Sequence, residues 1–153
     1  MTLEHGRVTD RRPPFSYSAL VRVGFSDTDA QGIVYYGRYM PYFDLARVEY
    51  LRHLGLLRTD LGPRQFVMRA FAVEYDAPAV FDDLIEVFVR TRRIGRSSMT
   101  QEYAAVRASD DALMCTAEQT LVMVELAERR PTPVPEELRA LIRSFEGDAL
   151  EEA

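Results

Sequence analysis

The chain has 153 residues, of which 47% are hydrophobic and 28% charged; this suits one soluble globular domain and leaves little room for a second. A formal charge of −5 argues against a general nucleic-acid binder, and no run approaches the roughly 18 apolar residues of a membrane span. The single cysteine, Cys115, excludes a disulfide framework and a multi-cysteine zinc site, and the complete absence of lysine excludes Schiff-base chemistry and a P-loop.

Residues 1–14 are polar, end in Arg11-Arg12-Pro13-Pro14, contain no apolar run that would make a signal peptide, and read as a mobile tail. The expected setting is therefore the cytoplasm. One domain is predicted over 15–143. Tyr17 to Phe25 alternates as a strand, Ser26 to Gln31 is turn-like, and about 37–54 reads as a helix with Gly55 as its C-terminal stop. Four extended stretches follow, at about 66–76, 83–94, 98–108 and 112–126, with Gly95 and Asp110-Asp111 at hairpin turns. A short helix is expected after Pro135, and 144–153, with Glu146, Asp148, Glu151 and Glu152, reads as an acidic tail. The long helix carries or adjoins five tyrosines and is apolar around most of its circumference, which predicts a helix that other elements surround. The fold class is thus α+β, a sheet wrapped around a central helix. Its exposed edge strands predict an oligomer.

The chemistry concentrates in Phe25-Ser26-Asp27-Thr28-Asp29-Ala30-Gln31-Gly32-Ile33-Val34-Tyr35-Tyr36. Two carboxylates precede a helix start, whose free N–H groups and partial positive charge suit a developing oxyanion. A carboxylate beside such donors can attack an acyl carbon or activate water. The competing reading is that Asp27 or Asp29 simply caps the helix; a divalent-metal role lacks a third carboxylate, and no metal site is expected.

The run Asp27-x-Asp29-x-x-Gly32-Ile33-Val34-x-Tyr36-x-x-Tyr39, then Asp44-x-Ala46-Arg47-x-Glu49, Glu74-Tyr75-x-x-Pro78-Ala79 and Asp82-Asp83-Leu84, resembles the 4-hydroxybenzoyl-CoA thioesterase family of hotdog-fold proteins over about 17–126. The resemblance implies a five-stranded antiparallel sheet around a long helix and active sites shared between two subunits, in a homodimer or a dimer of dimers (a homotetramer). It implies an acyl-CoA thioesterase that needs no cofactor, coenzyme A being part of the substrate. Asp29 falls on the family's catalytic carboxylate, and Tyr36 lies where a backbone N–H polarises the thioester carbonyl. Gly32 allows a tight loop or close approach, and Asp27 reads as structural. Relatives associated with the Tol-Pal system often carry histidine where this chain has Tyr36; tyrosine resembles the aryl-CoA branch.

A second feature is Arg90-x-Arg92-Arg93-Ile94-Gly95-Arg96-Ser97-Ser98. Arginine recognises phosphate bidentately, and by resemblance this turn contacts the nucleotide of coenzyme A, with Arg96 and Ser97 foremost and Arg93 and Ser98 beside them. The alternative is a solvated hairpin. Glu49 reads as a partner of Arg47 or Arg52, Cys115 as a core residue, and neither His5 nor His53 has a ligand partner by spacing. Two other functions compete with hydrolysis: an acyl-CoA-binding hotdog protein without turnover, and a hydratase or dehydratase, for which the aspartate–histidine pairing is missing.

Overall fold

Ile85, Val87 and Val89 alternate with Glu86, Phe88 and Arg90, yet all six are buried, so this strand is covered on both faces. The structure, a computed structural model, describes residues 5–153. Its elements are β1 (Gly6–Val8), β2 (Tyr17–Arg22), α1 (Tyr39–His53), β3 (Arg64–Tyr75), β4 (Leu84–Ile94), β5 (Ser98–Arg107), β6 (Leu113–Glu125), β7 (Arg130–Pro131), α2 (Glu136–Glu146) and β8 (Glu151–Glu152). One sheet runs in the order β1-β2-β4-β5-β6-β3, with β7 on β6 and β8 on β4. All pairings are antiparallel except β4 with β8. The four stretches expected after the helix fall within two residues of β3, β4, β5 and β6.

Helix α1 lies across the inner face. Tyr39, Tyr42, Phe43, Ala46 and Tyr50 form a stripe at helical spacing and bury into one cluster with Val87, Val89 and Tyr103. A large apolar side chain such as Phe43 contributes ~1.5–3 kcal/mol through burial, and Ala46 less than ~1 kcal/mol. As expected of a helix that the sheet wraps, α1 is covered beyond this stripe, since Leu45 and Leu51 pack on the same cluster and Glu49 is buried, while Met40 and Asp44 are exposed. The helix ends where Gly55 takes φ +76° and donates its N–H to the Arg52 carbonyl, as its position predicts. Among the described residues, strand β3 is paired only to β6, so one long edge of the sheet is open there.

The tail expected over 1–14 is corrected for its described part; residues 1–4 lie outside the described residues. Gly6, Arg7 and Val8 pair with Ala19, Ser18 and Tyr17. A Cβ at Gly6 would lie 2.2 Å from the Tyr17 hydroxyl, so only glycine permits this approach. The following segment crosses the outer face of the sheet, where Arg7 and Arg11 pair with buried Glu86 and Phe15 packs on Phe88 at 6.0 Å. The acidic tail is corrected likewise: α2 runs through Glu146, and Glu151–Glu152 extends the sheet beside Arg93 and Ile94. Glu152 accepts from Arg143 at 2.5 Å. The segments 6–11 and 151–152 are held by backbone pairing and ion pairs, which leave no hydrophobic period in a sequence.

Candidate active site

Asp29 sits near the tip of a small hairpin built from the motif. Thr28 bridges Val34, and Ile33 bridges Val80. Within it the Asp29 N–H donates to the Ile33 carbonyl at 2.9 Å, and the Gly32 N–H to the Asp29 carbonyl at 3.0 Å. Gly32 takes φ +78°, and a Cβ there would meet nothing within 4 Å, so glycine serves the tight turn and not a close approach. One carboxylate oxygen of Asp29, Oδ1, accepts the Gln31 N–H at 2.8 Å. Among the described residues, no hydrogen bond engages Oδ2.

Asp27 does a different job. Its Oδ2 accepts the Gly24 N–H at 2.9 Å and the Tyr42 hydroxyl at 2.8 Å, while its carbonyl accepts the Tyr35 N–H at 2.9 Å. It thereby ties the base of the hairpin to α1. Burial, followed by the bond to Asp27, pushes the Tyr42 phenol well above its ordinary pKa. Neither aspartate caps α1: the N-cap residue is Arg38, and no side chain bonds there. The capping alternative is therefore excluded, and Asp27 is structural, as the motif suggested.

A 3₁₀ turn at Tyr36–Arg38 leads into α1. The first N–H groups of a helical segment have no acceptor within it, and no hydrogen bond engages the Tyr36 N–H among the described residues. Asp29 and Tyr36 line one cavity of about 340 Å³, together with Tyr39, Tyr75, Asp76 and Pro78. The peptide that carries this free N–H is held at its Tyr35 carbonyl, which accepts the Arg38 N–H at 2.8 Å. The Tyr75 hydroxyl donates to the Tyr36 carbonyl at 2.9 Å, so the end of β3 holds the peptide that follows it. Sequence reasoning missed this contact and that of Tyr42, because 39 residues separate Tyr75 from Tyr36 and no spacing rule links them. Chemically the cavity offers an unshared carboxylate oxygen, one unpaired backbone donor and aromatic walls.

The arginine turn lies elsewhere. Ser98 is in register with Val122 and so with Val67, near the beginning of β3, whereas Tyr75 is in register with Cys115 and so with Ala105. The seven residue steps from Ser98 to Ala105 span roughly 24 Å of strand. One chain thus places Arg93, Arg96, Ser97 and Ser98 at the opposite end of the sheet from Asp29. The turn itself is rigid: the Arg96 carbonyl accepts the Val134 N–H at 2.9 Å and Arg139 at 3.1 Å. The side chains of Arg93 and Arg96 are exposed. Arg90 and Arg92 instead pair with Glu102 on the outer face.

Glu49 is buried and pairs with Arg52, not Arg47. Cys115 is fully buried, and burial pushes its thiol up to about 12. No group of three or more His, Cys, Asp or Glu among the described residues is placed to hold a metal ion.

Comparison with known proteins gives a consistent result. The Haemophilus influenzae acyl-CoA thioesterase YbgC is 32% identical over 127 residues, covering 81% of this chain and 92% of that protein. The acyl-CoA thioester hydrolase YbgC of Escherichia coli O157:H7 is 34% identical over 122 residues, covering 78% and 90%. The crystal structure of Slr0204, a 1,4-dihydroxy-2-naphthoyl-CoA thioesterase from Synechocystis, superposes with a TM-score of 0.77 at 21% identity, covering 84% of this chain and 96% of that one, and so shares the hotdog fold. The family model of the Thioesterase-like superfamily matches residues 23–142, and this chain belongs to that superfamily.

Proposed function

We propose that this protein hydrolyses an acyl-CoA thioester to a carboxylic acid and coenzyme A, with Asp29 as the reacting carboxylate. The observation that carries this reading is the juxtaposition of the unshared Asp29 oxygen and the unpaired Tyr36 N–H in one cavity. The thioester oxygen takes its hydrogen bond from Tyr36 N–H, which stabilises the charge that forms there. Asp29 then attacks the acyl carbon, expelling the thiolate and leaving a mixed anhydride that water opens, or it takes the proton of an attacking water. Both routes need the negative charge on Asp29, and neither needs a metal or cofactor. The rings of Tyr36, Tyr39 and Tyr75 suit a flat aryl group better than a long alkyl chain.

The active unit in this reading is a homodimer. The open edge of β3 exposes Val67 and Met68, and an unpaired strand of this length invites pairing with a second copy. Antiparallel pairing there brings the partner's turn at 93–98 to the end of the sheet that holds Asp29, where its arginines meet the phosphates of coenzyme A. No helix among the described residues is long and apolar enough to cross a membrane, and a cytoplasmic enzyme accords with this reading.

The test is thiol release from aryl, short-chain and long-chain acyl-CoAs. Asn in place of Asp29 keeps size and removes the charge; turnover should fall by ~10²–10⁴, while a non-hydrolysable acyl-CoA analogue still binds. Retained binding with no wild-type turnover on any substrate would favour a carrier, and a fully active Asp29→Asn variant would overturn the assignment.

A further inference from the structure

Part of the wall around Asp29 comes from Asp76, Ala77 and Pro78. They belong to segment 76–83, which joins β3 to β4 and lies outside every strand and helix. Backbone bonds hold its ends: the Asp76 and Ala77 N–H groups donate to the Met114 carbonyl at 2.9 and 3.2 Å, and the Asp82 N–H to the Val23 carbonyl at 3.0 Å. The middle of the segment bears the Asp29 hairpin. The Ala79 carbonyl accepts the Val34 N–H at 2.9 Å, and Val80 bridges Ile33. The hairpin thus rests on two supports, α1 at its base through Tyr42 and Asp27, and residues 79–80 along its returning arm.

Side chains hold that second support. Arg107, the last residue of β5, donates from Nη2 to the Pro78 carbonyl at 3.1 Å and from Nε to Asp83 Oδ2 at 3.2 Å. The same Oδ2 accepts the Val80 N–H at 3.0 Å. Nη1 of Arg107 donates to Asp110 at 2.8 Å, in the turn between β5 and β6. The side chains of Arg107 and Asp83 are 23% and 18% exposed, so solvent replaces these bonds poorly. A planar guanidinium fixes the angles among three acceptors, which an ammonium or an amide cannot do. We propose that Arg107 is a positioning residue of the hydrolysis: it holds Pro78–Val80, and through them the Asp29 hairpin, in place over the cavity. The proposal rests on the hydrolase reading, with Asp29 as the reacting group. Arg107 does not line the cavity, yet a reacting group displaced by about 1 Å loses up to ~10² in rate.

The test compares Arg107→Gln and Arg107→Lys with Asp110→Ala, which removes the arm that leads away from the segment. Well below their melting temperatures, both arginine variants should lower kcat by ~10–10² with KM within about threefold. The lysine variant keeps the charge without the fork, and it serves if the glutamine variant does not fold. Asp110→Ala should lower Tm yet keep kcat within about twofold, a separation that a purely structural arginine would not produce. Amide exchange followed by NMR needs no substrate: the Val34 N–H should exchange ~10-fold faster in both arginine variants and at the parent rate in Asp110→Ala. In an Asp29→Asn background, Arg107→Gln should change residual turnover by less than about twofold, because it acts through Asp29. Loss of kcat in step with Tm across all three variants, or unchanged Val34 exchange in the arginine variants, would overturn the proposal. Faster Val34 exchange with no wild-type turnover on any acyl-CoA would support the anchoring and overturn the hydrolase reading instead.

Discussion

Removing Arg7 and Arg11 should destabilise the fold, although both lie in a segment with no apolar pattern. Glu86 is 1% exposed in the middle of β4. Its Oε2 accepts the Ser18 hydroxyl at 2.6 Å and Arg7 at 3.2 Å, and Arg11 takes Oε1. Stripping a buried carboxylate of its cation costs ~3–5 kcal/mol when nothing replaces it. Here the side chains of Arg7 and Arg11 are 56% and 43% exposed, so solvent screens each cation, and Ser18 remains as a donor. The discounted expectation is about 1 kcal/mol for Arg11→Ala alone and about 2–3 kcal/mol for the double variant. In a chain of this size that lowers Tm by ~4–12 °C, readable by thermal and urea unfolding. Glu86→Gln is the control: with the buried charge gone, the same pair of arginine changes should cost well under ~1 kcal/mol. A double variant within ~0.5 kcal/mol of the parent, in the Glu86 background, would refute the argument and return residues 5–14 to the status of a tail.

Tyr42→Phe removes the bond to Asp27 and should cost about 1 kcal/mol of stability; because it loosens the hairpin that carries Asp29, kcat should fall more than KM rises, and an unchanged kcat would detach Asp27 from the site. Burial lifts the Glu146 carboxyl above its ordinary pKa against the opposing bonds from Tyr50 and Thr91. The folded state therefore favours its protonated form, and stability present below about pH 4.3 declines as pH rises through the raised value. Glu146→Gln should flatten the fall of urea midpoints as pH rises above about 4.3, and parallel curves for the two proteins would contradict this. Cys115, with its thiol pushed up to about 12, should resist alkylation at about pH 8 in the native protein and react promptly in urea; equal rates would place it at the surface.

How far the sequence reaches depends on whether the determining contact is local. Strands β3 to β6 announce themselves because alternation is a property of neighbouring residues, and the two sides of a buried sheet impose it directly. Gly55 and Gly32 were readable for the same reason, since a left-handed turn needs a particular residue at a particular place. The Asp27/Asp29 motif marked the site, but its division of labour was decided in three dimensions: a tyrosine one helical turn into α1 claims Asp27, while Asp29 keeps an oxygen free.

Other outcomes depended on residues far apart in the chain. That Met40 and Asp44 of α1 stay exposed while its tyrosines are buried follows from which face of the helix the sheet meets. The terminal segments lacked any periodic signal because Arg7, Arg11 and Glu152 act through charges on distant partners. The separation of the arginine turn from Asp29 is likewise a matter of register: the order of motifs along a chain carries no information about which end of an antiparallel sheet a turn occupies. Local order, then, was written in the amino-acid sequence by itself: the strands, the long helix, the motif and the family to which they point. Only the tertiary structure decided which carboxylate keeps an oxygen free and which peptide Tyr75 holds, because each is a contact between segments whose spacing in the chain carries no physical constraint.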